Sequence, residues 1–102
     1  SQDSRRQGTP MALCKVRHYP ERRRFETTVD GHDCEIDYQL ANGVMTITHT
    51  GVPPPVEGRG IAAEMTRFAL DTARTNGWKV VPGCSYAAAF LRRNPEFEDL
   101  LA

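Results

Sequence analysis

An α+β fold, in which an antiparallel meander of four strands is followed by a helix, a fifth strand and a second helix, is predicted by three observations. Cys34, Ile36, Tyr38 and Leu40 alternate with Asp33, Glu35, Asp37 and Gln39, the period of a strand with one face on a core and one in water. Asp30-Gly31 and Asn42-Gly43 bracket that strand with the dipeptides that two-residue hairpins require. Farther on, Ile61, Met65, Phe68, Ala69, Thr72 and Ala73 recur at helical spacing and stop at Asn76-Gly77. With 102 residues the chain has length for one core.

Taken in order, residues 1–10 are polar and aperiodic, and they read as a flexible leader ahead of a single domain spanning 11–102. Met11, Leu13 and Val16 suggest a first strand over 11–18, ended by Tyr19-Pro20 and a charged turn. Residues 24–29 place Phe25, Thr27 and Val29 on one face of a second strand. The third is the alternating run from Asp33 to Leu40. Residues 44–50, rich in β-branched side chains, make the fourth, and straight alternation sets Met45, Ile47 and His49 on one face. The helix that starts at Ile61 should run about four turns at 3.6 residues each. Trp78 to Pro82 is short and apolar, a buried strand that a βαβ-like connection lays parallel to the fourth. Tyr86, Ala87, Phe90 and Leu91 make a second helix, closed before Pro95, and residues 95–101 begin a last helical turn.

Composition narrows the functions. Thirteen basic and thirteen acidic residues leave no net charge, so the positive field of a nucleic-acid binder is missing from the totals, and Arg22-Arg23-Arg24 has no aromatic platform beside it. No apolar run is long enough for a membrane span and no charged-then-apolar leader is visible, which points to a cytoplasmic protein. Cys14, Cys34 and Cys84 are odd in number and widely spaced, unlike a disulfide framework or a zinc site, and are read as reduced thiols, Cys14 and Cys34 on strands in the core. His18, His32 and His49 are scattered as well, so no metal cofactor is expected.

The stretch 53–62, PPPVEGRGIA, is the most suggestive. Its proline run leads into Gly58 and Gly60, which let the backbone pass close to a ligand, and the helix behind them aims unpaired N–H groups back at the loop. Such a loop suits a pyrophosphate.

Together the strand ITHTGVPP, the loop EGRGIA, the helix, and then VVPGCSYAAAFLRRNPEF resemble a minimal GNAT-type (GCN5-related) N-acetyltransferase of the short YjdJ-like group, over residues 25–101. The family's phosphate motif has Gln or Arg first, Gly fourth, and Gly or Ala sixth. Here Glu57 holds the first place, Gly60 the fourth and Ala62 the sixth, so Glu57 departs from the pattern. The resemblance implies a sheet splayed between the fourth and fifth strands, with acetyl-coenzyme A wedged in the gap. Its pantetheine amides would pair with backbone from His49 to Val52, including Thr50, and its pyrophosphate would lie on the amides of Gly58, Arg59, Gly60, Ile61 and Ala62, with the Arg59 side chain as a further ligand. The chain is shorter than typical members, without a helical pair after the first strand or strands after the last helix, the parts that usually build an acceptor pocket.

Acetyl transfer needs an activated acceptor, a polarised thioester carbonyl and a stabilised leaving thiolate. The resemblance puts Cys84 beside the thioester, at a helix N-terminus where the dipole favours a thiolate, either accepting the acetyl group or only filling a tight turn. His49, at the end of the fourth strand, is a candidate general base, or else a packed core histidine. Glu57 is a weaker base candidate, Tyr86 could cap the leaving thiolate, and Arg92-Arg93 could reach phosphates or form a solvated face. The predicted function is thus transfer of acetyl from acetyl-coenzyme A to an amine, by a monomer or weak dimer. The alternatives are a coenzyme A binding module without turnover and a thiol-based sensor built on Cys84.

Overall fold

Both hairpin dipeptides adopt the left-handed backbone they were expected to supply: Asp30 and Gly31 have φ of 50° and 78°, Asn42 and Gly43 54° and 75°. In a computed structural model that describes residues 14–102, these turns join β2 (Arg24–Val29), β3 (His32–Ala41) and β4 (Val44–Gly51). A short β1 (Arg17–Tyr19) pairs antiparallel with β2, and β5 (Lys79–Pro82) pairs parallel with β4. The sheet order is β1-β2-β3-β4-β5.

The expected first strand is shorter and later. Residues 11–13 lie outside the described residues, and 14–16 precede the strand, so Cys14 is half-buried but not on a strand. One cause is local: the buried hydroxyl of Thr27 on β2 donates to the carbonyl of Lys15 at 2.8 Å, replacing a ladder bond with a side-chain bond. The chain then passes from β1 to β2 through a 3₁₀ turn, Pro20–Arg22, closed by Arg23 at φ 55°.

One face of the sheet carries the core. Phe25, Cys34, Ile36, Tyr38, Met45, Ile47 and Val80 are buried there against α1 (Ile61–Asn76) and α2 (Ser85–Arg93). Fully burying a side chain of Ile or Phe size stabilises by about 1.5–3 kcal/mol, so this face fixes the register of β2 to β5. On α1 the buried stripe is Ile61, Met65, Thr66, Ala69, Leu70 and Ala73. Thr66 and Leu70 thus replace the expected Phe68 and Thr72. Thr66 is admitted because its hydroxyl donates to the Ala62 carbonyl at 2.7 Å, while Phe68 stays 39% exposed and meets Phe25 edge-on at 5.9 Å. Gly77 at φ 72° closes α1, as the Asn-Gly signal predicted. A 3₁₀ segment, Pro95–Leu100, returns Phe97 onto Phe90, with Arg67 and Arg74 of α1 lying over the Phe97 ring.

The fourth strand departs from straight alternation. Tyr38 pairs with Ile47 but Asp37 pairs with His49, so Thr48 is an extra residue, a β-bulge. The bulge turns His49 away from the face of Met45 and Ile47 to the polar face of the sheet, correcting the expectation that the three lie together. No described helix is long and apolar enough to cross a membrane.

Candidate functional site

The site begins where β4 and β5 part. Their last pair is Ile47↔Pro82, yet β4 continues to Gly51, held on its other side by Asp37↔His49, Ile36↔Thr50 and Glu35↔Gly51. Two sequence features force the parting. Pro82 has no N–H to donate, and the Thr48 bulge bends β4 at the same level. Gly83 then turns the chain so close to β4 that a Cβ on it would lie 2.8 Å from the Ile47 carbonyl oxygen. Residues 48–51 consequently offer backbone groups on the β5 side that no β5 residue takes up.

A cleft of about 540 Å³ opens beside this run, lined by Thr50 and Gly51 at the end of β4 and Val52 just past it, by Glu57, Gly58, Gly60, Ile61 and Ala62 from the loop and helix, and by Tyr86 from α2. Gly58 and Gly60 stand at φ 79° and 82°, a conformation that costs other residues about 1–2 kcal/mol. Gly60 is the N-cap of α1 and no side chain caps that end. The first-turn N–H groups are thus left to solvent or to an anion, with the positive end of a 16-residue helix behind them. Ile61 contributes only backbone, since its side chain is in the core.

The other expected site residues fall in different places. Arg59 is turned away from the cleft: its guanidinium pairs with Asp30 at the β2–β3 turn, at 2.5 Å, and donates to the Pro55 carbonyl. The guanidinium expected at the phosphates is thus engaged by the Asp30 carboxylate in this conformation. Glu57 is exposed beside the loop. Arg92 and Arg93 are solvent-facing at the end of α2. Cys84 is the N-cap of α2, half-buried, with Sγ 3.7 Å from Thr50 Oγ1, so the thiol spans the mouth of the gap between β4 and β5. Burial holds the Tyr86 hydroxyl above its ordinary pKa, against the opposing pull of Arg93 and Arg67, which keeps it a phenol able to donate. Cys34 is buried on β3, and burial raises its pKa, as it does for Cys14, where Glu64 adds to the effect; both stay thiols.

His49 lies on the far side of the same strand. It lines a second groove, of about 260 Å³, with Asp33, Glu35, Gly51, Val52 and Pro53. The groove and the cleft share Gly51 and Val52, so the two meet across the end of β4. Sequence reasoning missed Asp33, Glu35, Val56 and Ala63 as lining residues. Val56 and Ala63 carry no pattern that separates them from packing, and Glu35 looks like any outward residue of an alternating strand. Among the described residues no group of three or more His, Cys, Asp and Glu side chains is placed to hold a metal.

Comparison with known proteins agrees with this geometry. Residues 24–100 match the family described as GCN5-related N-acetyl-transferase. The chain is similar to Protein NATD1 of Bos taurus, 30% identical over 86% of this chain and 82% of that one, and of Homo sapiens, 31% identical over 87% and 79%. Its fold is similar to the solution structure of a GCN5-like protein from Staphylococcus aureus, with a TM-score of 0.70 at 24% identity, over 90% of this chain and 91% of that one. The expected α+β architecture, with an antiparallel meander and a parallel fifth strand, is that fold. With a strand pair that parts, an uncapped helix end facing the gap, and a family match over most of its length, the chain belongs to the GCN5-related N-acetyltransferases.

Proposed function

We propose that the protein transfers an acetyl group from acetyl-coenzyme A to an amine. One observation carries the reading: the unpaired run of β4 and the uncapped N-terminus of α1 open into one cleft. The first offers alternating donors and acceptors to the amides of a pantetheine arm, the second a set of N–H donors to a pyrophosphate. Thr50 and Val52 would flank the arm, and Gly58 to Ala62 would hold the phosphates through backbone. Arg59 could join them only by leaving Asp30.

At the thioester end, the amine nitrogen bonds to the carbonyl carbon and the carbon–sulfur bond breaks. The proton given up by the amine goes to a base, for which His49 is placed in the groove that meets the cleft at Gly51 and Val52. The coenzyme A sulfur leaves as a thiolate, and the Tyr86 phenol is the neighbouring donor that can protonate it. Cys84 allows a second route. Its thiolate would take the acetyl group first, expelling coenzyme A as a thiolate; the amine nitrogen would then bond to the acetyl carbon, giving its proton to the base as Cys84 leaves as a thiolate.

The test is to incubate the protein with isotopically labelled acetyl-coenzyme A and a panel of amines, and to locate the label by mass spectrometry. Label reaching an amine supports the enzyme, and label on Cys84 that passes to the amine supports the covalent route. Binding without transfer to any amine instead supports a coenzyme A binding module. Cys84→Ala should bind coenzyme A as the wild type does. If it also transfers acetyl at the wild-type rate, the covalent route is excluded.

A further inference from the structure

The structure assigns Glu35 the role of a positioning residue, which fixes the His49 imidazole in the tautomer that leaves Nδ1 free to accept a proton. The assignment rests on the acetyl-transfer reading for its use, but its geometry stands independently.

Register brings the two residues together. Beyond the Thr48 bulge, β3 and β4 pair Glu35 with Gly51 and Asp37 with His49, which sets His49, Gly51 and Glu35 on one face of the sheet. There His49 Nε2 lies 3.0 Å from Glu35 Oε2. An ionised carboxylate has acceptors and no donor, so the hydrogen between them belongs to Nε2, and in the neutral ring the lone pair is then on Nδ1. Among the described residues, no group hydrogen-bonds to Nδ1.

Two further observations show that the pair is specified by its surroundings. Gly51 stands beside it, and a Cβ there would collide with Glu35 Oε2 and fall 2.8 Å from His49 Nε2, so in this geometry the pair occupies the space a side chain at position 51 would take. The neighbouring carboxylates are engaged elsewhere. Asp37 accepts from Arg24 at 2.7 and 3.2 Å, Glu26 faces Arg22 and Arg24, and Asp33 accepts from the Thr28 hydroxyl. Glu35 is the one directed at His49. An imidazole whose side chain is 53% exposed would otherwise sample several rotamers and both tautomers, whereas Glu35, at 26%, is the firmer partner.

In the reaction, Nδ1 takes the proton released as the amine nitrogen bonds to the thioester carbon. The imidazolium so formed keeps its Nε2 hydrogen on Glu35, whose negative charge stabilises it, and Nδ1 then returns its proton to solvent. Glu35 itself neither gains nor loses a proton.

The experiment has two arms. In the first, protein labelled with ¹⁵N-histidine is followed to alkaline pH and the tautomer is read from the limiting spectrum of the neutral ring. The expected His49 spectrum is that of the Nε2–H form, relaxing to a mixture of tautomers in Glu35→Gln. A wild-type ring carrying its hydrogen on Nδ1, or one unchanged in the variant, overturns the assignment. In the second, thiol release from acetyl-coenzyme A is followed with n-butylamine as acceptor, for Glu35→Gln, His49→Gln and the double variant. Glu35→Gln should lower kcat about tenfold at unchanged KM for acetyl-coenzyme A, and cause no further fall when the same change is made in His49→Gln. A fall of equal size in both backgrounds overturns the assignment, because Glu35 would then act independently of His49. Failure of coenzyme A to bind defeats the acetyl-transfer reading while leaving the tautomer result to decide the Glu35–His49 geometry.

Discussion

Arg59 shows how far a side chain can stand from its motif. Its neighbours Gly58 and Gly60 line the cleft, yet its guanidinium is held by Asp30 from another turn of the chain. Both partners are largely exposed, at 48% and 66%, and a pair of that kind contributes about 0–1 kcal/mol. Asp30→Asn should therefore leave the urea midpoint almost unchanged, while freeing Arg59 and removing a negative charge near the loop. Coenzyme A should bind a few-fold more tightly in calorimetry at low salt; weaker binding would show that Asp30 serves the loop. A second residue makes a prediction about pH. His18 stacks on Phe25 at 4.3 Å and its Nε2 lies 2.6 Å from the Tyr38 hydroxyl; burial lowers its pKa below the ordinary 6.5, with Glu21 opposing. The unfolded chain binds that proton more readily than the folded one. This contribution to stability is full above about pH 6.5 and is lost as pH falls through the folded value. Melting temperatures should drop on acidification less steeply in His18→Phe than in the wild type, and equal slopes would contradict it.

Phe25 ties four elements together, since from β2 it meets His18 on β1, Tyr38 on β3 and Phe68 on α1. Phe25→Ala should cost about 3–5 kcal/mol in urea unfolding, and a cost under about 1 kcal/mol would mean that the neighbouring rings close the cavity. Elements of this kind were legible in the sequence because their signals are local. Asp30-Gly31 and Asn42-Gly43 set turn type through backbone preference, and residues 34–40 show an unbroken period of two. The Thr48 bulge has no such signal. Thr-Ile-Thr-His-Thr alternates as well through the bulge as without it, and only the pairing of Asp37 with His49 across two strands reveals the extra residue. That one residue decides whether His49 joins the core or the groove. The stripe on α1 was misjudged for a related reason: Thr66 enters the core by bonding to the Ala62 carbonyl, which periodicity counted by hydrophobicity cannot register.

At the scale of the whole molecule, a single layer of helices covers one face of the sheet while the strand gap puts the cleft and the groove in contact through the end of β4. The cleft proposed for the cofactor was readable from the loop and its context, since backbone donors follow from glycines and a helix start. The groove proposed for the acceptor was not, because Asp33, Glu35 and His49 meet there only through the register of their strands. The most direct test of a cofactor held at the α1 N-terminus is the melting temperature titrated with acetyl-coenzyme A, in the wild type and in Gly60→Val. At a hundredfold excess over Kd, binding should stabilise the wild type by about 2.7 kcal/mol, a rise on the order of ten degrees for a domain of this size. Gly60→Val, strained at φ 82° and bulky at the helix end, should melt lower and show no rise. A wild-type melting temperature that stays flat at millimolar acetyl-coenzyme A, or a Gly60→Val protein that rises as the wild type does, would contradict that placement of the cofactor.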